Sequence, residues 1–290
     1  MGSAASSSFS ASSVVWYRNA INVRLQRDAL ELPVLPEVAQ RVMAMTTGTD
    51  IDARKLSRLV HRDQALAAQV LRVANSARYS PGRPIVSLTQ AVTRLGARTL
   101  GDIAFGVAVK GKVFNAPGYE RQMRYQWQHA IVAATYGKEI ARMKRLNVEG
   151  QFLSGLLHEI GKPVTLQILA KLQDKLPLPP PSPEDVHDLI DQFNVKVGLA
   201  LISAWKLPER VETTTAYHKT YVQAPTFQDE TKITYLSNVL ATWLLSEQPS
   251  LKTELKADPV FAALNMYPED ADAVLEKAPA VMSVVDAMCV

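Results

Sequence analysis

The sequence predicts an all-helical protein, and two observations carry that prediction. Apolar residues recur at helical spacing almost throughout the chain; Leu35, Val38 and Val42, for example, fall on one face of a helix. Helix-start residues stand where such stretches begin, as Asp63 and Ser87 do. We find no segment that alternates apolar and polar residues with the period of two typical of a strand. The predicted fold class is therefore all-α.

Five helices are predicted before residue 114. Pro36 suits the first turn of the first helix, and Asp63 can cap the third. Ser87 and Gln90 form a capping-box pattern that opens the fourth helix, and Gly96 is placed to end it. In chain order, the five helices cover about residues 35–45, 56–60, 64–74, 88–95 and 99–113.

A second group of helices follows a break at 115–118, where Pro and Gly favour a turn. Ser182 starts one of them, with Pro183 at the first position, behind a stiff proline-rich spacer over 177–183. The remaining helices of this group cover about 120–145, 149–157, 163–172, 195–204, 208–218 and 230–246, with short helices after 251.

The domain organisation follows from these patterns. We predict a disordered, Ser- and Ala-rich leader over 1–20 and an N-terminal helical subdomain over 21–117. A second helical subdomain with a helical tail covers 118–290. The fold is thus a helical bundle of two packed subdomains.

Composition excludes several classes of protein. A single cysteine, Cys289, rules out a disulfide framework and favours a reducing compartment. No apolar run approaches the roughly 20 residues of a membrane helix, so we expect a cytoplasmic protein without a membrane partner. The 32 basic and 28 acidic residues give a net charge of +4, which permits nucleic-acid binding but does not argue for it.

The sharpest local feature is Gly155-Leu-Leu-His158-Glu159-Ile-Gly161-Lys162. A histidine followed by a carboxylate offers two metal ligands from one helix end, and the flanking glycines let the backbone turn and approach closely. His129, in the preceding long helix, can reach the same place. The alternative is a purely structural role, in which a lone helical histidine, or a carboxylate at a helix end, makes only local contacts. Asp102, Asp188 and Asp191 show no pairing pattern and are interpreted as surface charges.

The chain resembles the HDOD domain family. The resemblance lies in five blocks that occur in the right order and spacing, and in the later stretches 127–129 and 155–162. The blocks are Leu32–Val38, Arg62–Leu66, Leu71–Ala77, Ile85–Val92 and Leu95–Leu100. The resemblance implies an all-helical fold whose C-terminal part is related to HD phosphohydrolases, which bind metals through a His, a His-Asp pair and a later Asp.

Carried over to this sequence, the resemblance places metal ligands at His129, His158, Glu159 and Asn238. Glu159 stands where Asp is usual, and its extra methylene displaces the carboxylate. Asn238 stands where the later Asp is expected and offers a neutral oxygen in place of an anion. We therefore predict a degenerate site that is empty or binds a divalent metal weakly, without any other cofactor.

The predicted function is that of a bacterial signal-transduction protein that is not an enzyme. The HDOD family is generally regarded as non-hydrolytic. We expect a signalling protein as partner, and binding of that partner could be controlled by a nucleotide or second messenger. Two alternatives stay open. One is a residual metal-dependent phosphohydrolase or phosphodiesterase. The other is nucleic-acid binding through a basic helical face that contains Arg54, Arg58 and Arg62.

Overall fold

A computed structural model describes residues 3–46, 51–76, 78–79, 82–175, 179–246, 248 and 251–289. All regular structure in these ranges is helical, as predicted. The helices are α1 Ser3–Gln26, α2 Glu37–Thr46, α3 Ala53–His61, α4 Gln64–Ala74, α5 Leu88–Val113, α6 Glu120–Met143, α7 Val148–Leu157, α8 Gly161–Lys175, α9 Pro183–Ala204, α10 Glu209–Tyr217, α11 Gln228–Leu245, α12 Leu251–Lys256, α13 Val260–Ala263, α14 Pro268–Leu275 and α15 Ala278–Cys289. None of the helices within these ranges has the length and apolar character needed to cross a membrane.

Local capping chemistry sets several helix boundaries. The side chains of Asp63, Ser87 and Ser182 each accept a hydrogen bond from a backbone N–H three residues on, which satisfies a donor that the first helical turn leaves unpaired. Gly96 has φ +80°, a left-handed conformation that suits glycine, and it breaks α5 into two helical segments. These predictions from the sequence are confirmed.

A helix, α1, covers residues from Ser3 onward, where we predict a disordered leader over 1–20. Tyr17 and Ile21, one turn apart, are buried. Arg18 Nε also donates to the side-chain oxygen of Gln192 in α9, at 2.9 Å. Packing against α8 and α9, which no local pattern reveals, holds this end of the helix.

The helices form two groups that pack against each other. In the first, α2, α3 and α4 pack on α5; in the second, α6 is the central helix and packs against α7 and α11. A turn that contains Gly118, with φ +83°, joins α5 to α6. The tail closes back on both groups, because α15 packs on α4 and α6. Trp127 Nε1 of α6 and Lys110 Nζ of α5 both donate to the Met288 carbonyl in α15, at 3.1 and 2.6 Å.

The structure also corrects the prediction that Asp102 is a surface charge. We interpreted it as a surface charge, but it lies between the two groups of helices, where Lys138 Nζ of α6 donates to its Oδ2 at 2.5 Å. Burial raises the pKa of Asp102 to about 6, against the opposing charge of Lys138. Pairing across 36 residues leaves no local signal in the sequence.

Candidate metal centre

Close contacts between helix backbones bring the candidate ligands together. Gly155 lies against α6, where a Cβ atom at this position would be 2.7 Å from the Ala133 carbonyl oxygen. Gly161 lies against α9, where a Cβ would be 1.9 Å from the Asn194 carbonyl oxygen. Only glycine permits either approach, and between the two glycines the chain turns and carries His158 and Glu159. The ring of His129, on α6, then lies with its centroid 5.6 Å from that of His158.

His158 is fully buried, and its hydrogen bonds define its tautomer. Nδ1 lies 2.7 Å from the Gly155 carbonyl oxygen, to which it donates. Burial lowers the pKa of His158 to about 3, so the ring is neutral and Nε2 carries a lone pair. The Asn238 side-chain oxygen Oδ1 is 3.1 Å from Nε2. Since Nε2 can only accept, a hydrogen bond here requires the amide group to turn over, so that Nδ2 faces the ring in place of Oδ1.

Glu159 is buried and charged. Burial alone would raise the pKa of Glu159, but the neighbouring groups His218, His129 and Lys162 together hold it well below the usual range. The strongest contact is with Lys162, whose Nζ lies 2.8 Å from Oε1. The other carboxylate oxygen, Oε2, is 3.6 Å from Nδ1 of His129. Glu159 therefore has a cationic partner within the protein.

Lys162 and Asp191 extend the cluster beyond the predicted ligands. The Lys162 ammonium bridges Glu159 to Asp191, whose Oδ1 is 3.0 Å away, so Asp191 has an ion-pair partner that no sequence pattern indicated. Burial would lower the pKa of Lys162, but the two carboxylates raise it above its ordinary value. The Gly161-Lys162 step at the start of α8 was visible in the motif, but its partner on α9 was not.

His218 also belongs to the cluster and was not among the predicted ligands. It ends α10, is fully buried, and donates from Nδ1 to the Thr215 carbonyl at 2.8 Å. Its Nε2 lies 3.8 Å from Glu159 Oε1 and has no hydrogen-bond partner within the described part of the chain. The centroid of its ring is 5.2 Å from that of His158. The cluster therefore contains three imidazoles around one carboxylate.

A divalent metal fits this cluster poorly, although the donor types suit one. One ligand atom each from His129, His158 and Glu159 lie within 4.8 Å of one another. A metal would have to displace Lys162 from Glu159 and the Asn238 side chain from His158 Nε2. The assignment of His129, His158, Glu159 and Asn238 as metal ligands stays a prediction.

The basic residues behind the nucleic-acid alternative are on the surface. Arg54, Arg58 and Arg62 are all exposed, on α3 and directly after it. This is also what a solvated helix face would show, so exposure alone does not favour nucleic-acid binding.

Fold and cluster together define an HD-type helical domain. The model of the HDOD domain family matches residues 32–221, more than half of the chain, and the chain belongs to that family. An uncharacterized protein of Treponema pallidum (strain Nichols) is 26% identical over 204 residues, which are 67% of this chain and 39% of that protein. The chain thus spans about two fifths of the length of this relative.

Solved structures share the fold. A protein of Shewanella amazonensis, provisionally named a metal-dependent phosphohydrolase, superposes with a TM-score of 0.74 at 24% identity, covering 96% of this chain and 99% of that one. An HDOD domain protein of unknown function from Geobacter sulfurreducens gives 0.70 at 22%, covering 92% and 98%. A provisionally named signal transduction protein of Marinobacter aquaeolei gives 0.64 at 24%, covering 95% and 66%. At these identities the likeness shows the fold alone.

Proposed function

We propose that this protein is a non-hydrolytic regulatory HDOD protein that acts by binding a protein partner. The observation that carries the proposal is the position of Lys162, whose ammonium lies 2.8 Å from the carboxylate that would otherwise hold a metal. Asn238 adds to it, because its side chain lies 3.1 Å from Nε2, the His158 nitrogen that would face a metal. The Glu159 charge and the His158 Nε2 nitrogen are thereby contacted within the protein.

The chemistry of an ammonium group explains why such a cluster would not hydrolyse phosphate esters. A metal ion lowers the pKa of a bound water and holds the resulting nucleophile beside the substrate. Lys162 supplies a positive charge at Glu159 but no coordination position for water or phosphate. In this proposal the cluster has a structural role at the junction of α6, α7, α8 and α9. The protein partner binds at the surfaces of the helices.

The family of this chain and the name of one structural neighbour support a regulatory role. The chain belongs to the HDOD family, and a protein with the same fold is provisionally named a signal transduction protein. Binding of a nucleotide or second messenger that gates the partner is a finer form of the same proposal.

The experiment is a metal and activity assay on the full chain, purified without chelator and then exposed to Mn²⁺. We expect well under one metal per chain and no Mn²⁺-dependent hydrolysis of a generic phosphodiester such as bis(p-nitrophenyl) phosphate. About one metal per chain, together with turnover that His158→Ala abolishes, would overturn the proposal.

A residual metal-dependent phosphohydrolase is the second candidate. It is favoured by one observation, the three donors of His129, His158 and Glu159 within 4.8 Å of one another. In that case, the same assay would show Mn²⁺-dependent turnover in the unmodified chain.

A further inference from the structure

Two neighbouring residues of α6 form ion pairs of opposite polarity with the first group of helices. Lys138 Nζ lies 2.5 Å from Asp102 Oδ2 on α5. The next residue, Glu139, accepts a hydrogen bond from Arg78, which follows α4. The side chains of Lys138 and Glu139 are buried, that of Asp102 is nearly so, and that of Arg78 is less than one-third exposed. Both pairs therefore cross the boundary between the two groups of helices.

Apolar packing is incomplete beside the pair of Asp102 and Lys138. A cavity of about 170 Å³ lies between α2, α5, α7 and α10, and Asp102, Phe105 and Phe152 are on its wall. The Lys138 ammonium also lies 5.4 Å from the centre of the Phe152 ring. A close-packed core normally fixes how two layers of helices fit together. In this part of the boundary, another interaction must therefore fix how the two groups of helices dock.

Buried ion pairs supply specificity more readily than stability. Desolvation of both charges roughly cancels their attraction, and replacing a buried pair with apolar residues of similar size is often neutral or stabilising. A mispaired buried charge, by contrast, is costly. If α6 turned by one residue, about 100°, in one direction, Lys138 would approach Arg78; if it turned in the other direction, Glu139 would approach Asp102. Either shift would bring like charges together.

We propose that Asp102–Lys138 and Arg78–Glu139 form a register lock, which fixes how the first group of helices docks on α6. The lock is a conformational device: releasing it loosens the boundary without unfolding either group. Because α6 also carries His129, nine residues before Lys138, the docking of the first group and the position of the histidine cluster share one rigid element. This inference holds whether or not the cluster binds a metal.

Two variants of the full chain test the lock. Asp102→Leu/Lys138→Met removes one pair and keeps the volume. Asp102→Lys/Lys138→Asp keeps both pairs but gives them the same polarity, so that a shift by one residue no longer brings like charges together. We expect either variant to unfold within a few degrees of the unmodified chain. Amide hydrogen exchange in residues 78–79 and in the second half of α5 should become about tenfold faster or more, while exchange in α8 and α9 stays unchanged.

The control is Arg142→Gln. Arg142 Nη1 also bonds Glu139, at 2.6 Å, but it lies on α6 itself and does not cross the boundary. This variant should leave exchange at the boundary unaltered. Unchanged exchange in both double variants would overturn the lock, and so would loosening in Arg142→Gln equal to theirs. If one double variant does not fold, the other decides by the same measurement.

Discussion

The side-chain oxygen Oδ1 of Asn238 lies 3.1 Å from Nε2 of His158, and the ring donates its one N–H, on Nδ1, to the Gly155 carbonyl. When its amide turns over, Nδ2 faces the Nε2 lone pair. An asparagine can donate a hydrogen bond to that lone pair, and an ionised aspartate cannot. With aspartate at position 238, the lone pair and the carboxylate would face each other without a proton between them. A cation is then the natural group to lie there.

Asn238→Asp should therefore increase metal affinity. The change adds an anionic ligand and removes the amide that occupies His158, and we expect Mn²⁺ to bind about tenfold more tightly or better. Isothermal titration with Mn²⁺ measures this directly. Asn238→Ala is the control, because it frees the lone pair without adding charge and should gain much less. Equal affinity in all three proteins would show that Asn238 does not close the site.

Lys162→Met should destabilise the protein and make it responsive to divalent cations. The substitution leaves Glu159 buried without its cation, and loss of one partner of a buried pair costs about 3–5 kcal/mol. Urea unfolding measures the loss, and added Mn²⁺ should recover more stability in this variant than in the unmodified chain. Lys171→Met removes an exposed pair with Glu31 and should cost less than about 1 kcal/mol. Similar losses in both variants would contradict a special role for Lys162.

Asp102 should make stability fall as the pH rises from about 4 to 7. Its pKa in the folded protein is about 6, above the ordinary 3.8, so the folded state retains a proton that the unfolded state has lost. The contribution of Asp102 to the free energy of unfolding is complete below pH 4 and is lost as the pH passes 6. A pKa difference of about two units corresponds to at most about 3 kcal/mol. Urea unfolding at pH 4, 5, 6 and 7 should show this loss relative to Asp102→Asn, which cannot titrate. Parallel curves would mean that the carboxyl group titrates normally.

Gly161→Ala should be among the most damaging small substitutions in the protein. Its Cβ would overlap the Asn194 carbonyl oxygen, and neither backbone can yield without separating α8 from α9, so we expect a loss of about 3 kcal/mol or more. Gly111→Ala is the matched control, since Gly111 is exposed on α5 and its Cβ would meet nothing within 4 Å. Helix propensity alone should then stabilise it by about 0.5–1 kcal/mol. Thermal unfolding distinguishes the two outcomes, and a mild effect at Gly161 would contradict the close approach.

Features governed by neighbours in sequence could be predicted well. Asp63, Ser87 and Ser182 were identified as caps because the donor that each one satisfies is three residues away. The all-helical fold followed from periodicity in the same way. The family resemblance, and not a local pattern, placed His129, His158 and Asn238 at one site.

Features that depend on distant partners could not be predicted. Asp102 and Asp191 each looked like an unpaired surface charge, because Lys138 and Lys162 are 36 and 29 residues away and on other helices. His218 ends a helix whose sequence gives no sign of the cluster that it faces. Tyr17 is buried only because α1 packs on α8 and α9, so its Ser-rich surroundings suggested disorder. In each case the missing information was tertiary packing.

The Met288 carbonyl in α15 accepts hydrogen bonds from both Trp127 and Lys110. The part of the chain that packs together is therefore longer than the part that the family model matches. The family match ends at residue 221, before α11, which supplies Asn238, and well before α15. A fragment trimmed to that match would lose the amide beside His158 and leave an indole N–H and the apolar side of the central helix exposed to water. Protein for crystals or for binding assays should therefore extend to the end of α15.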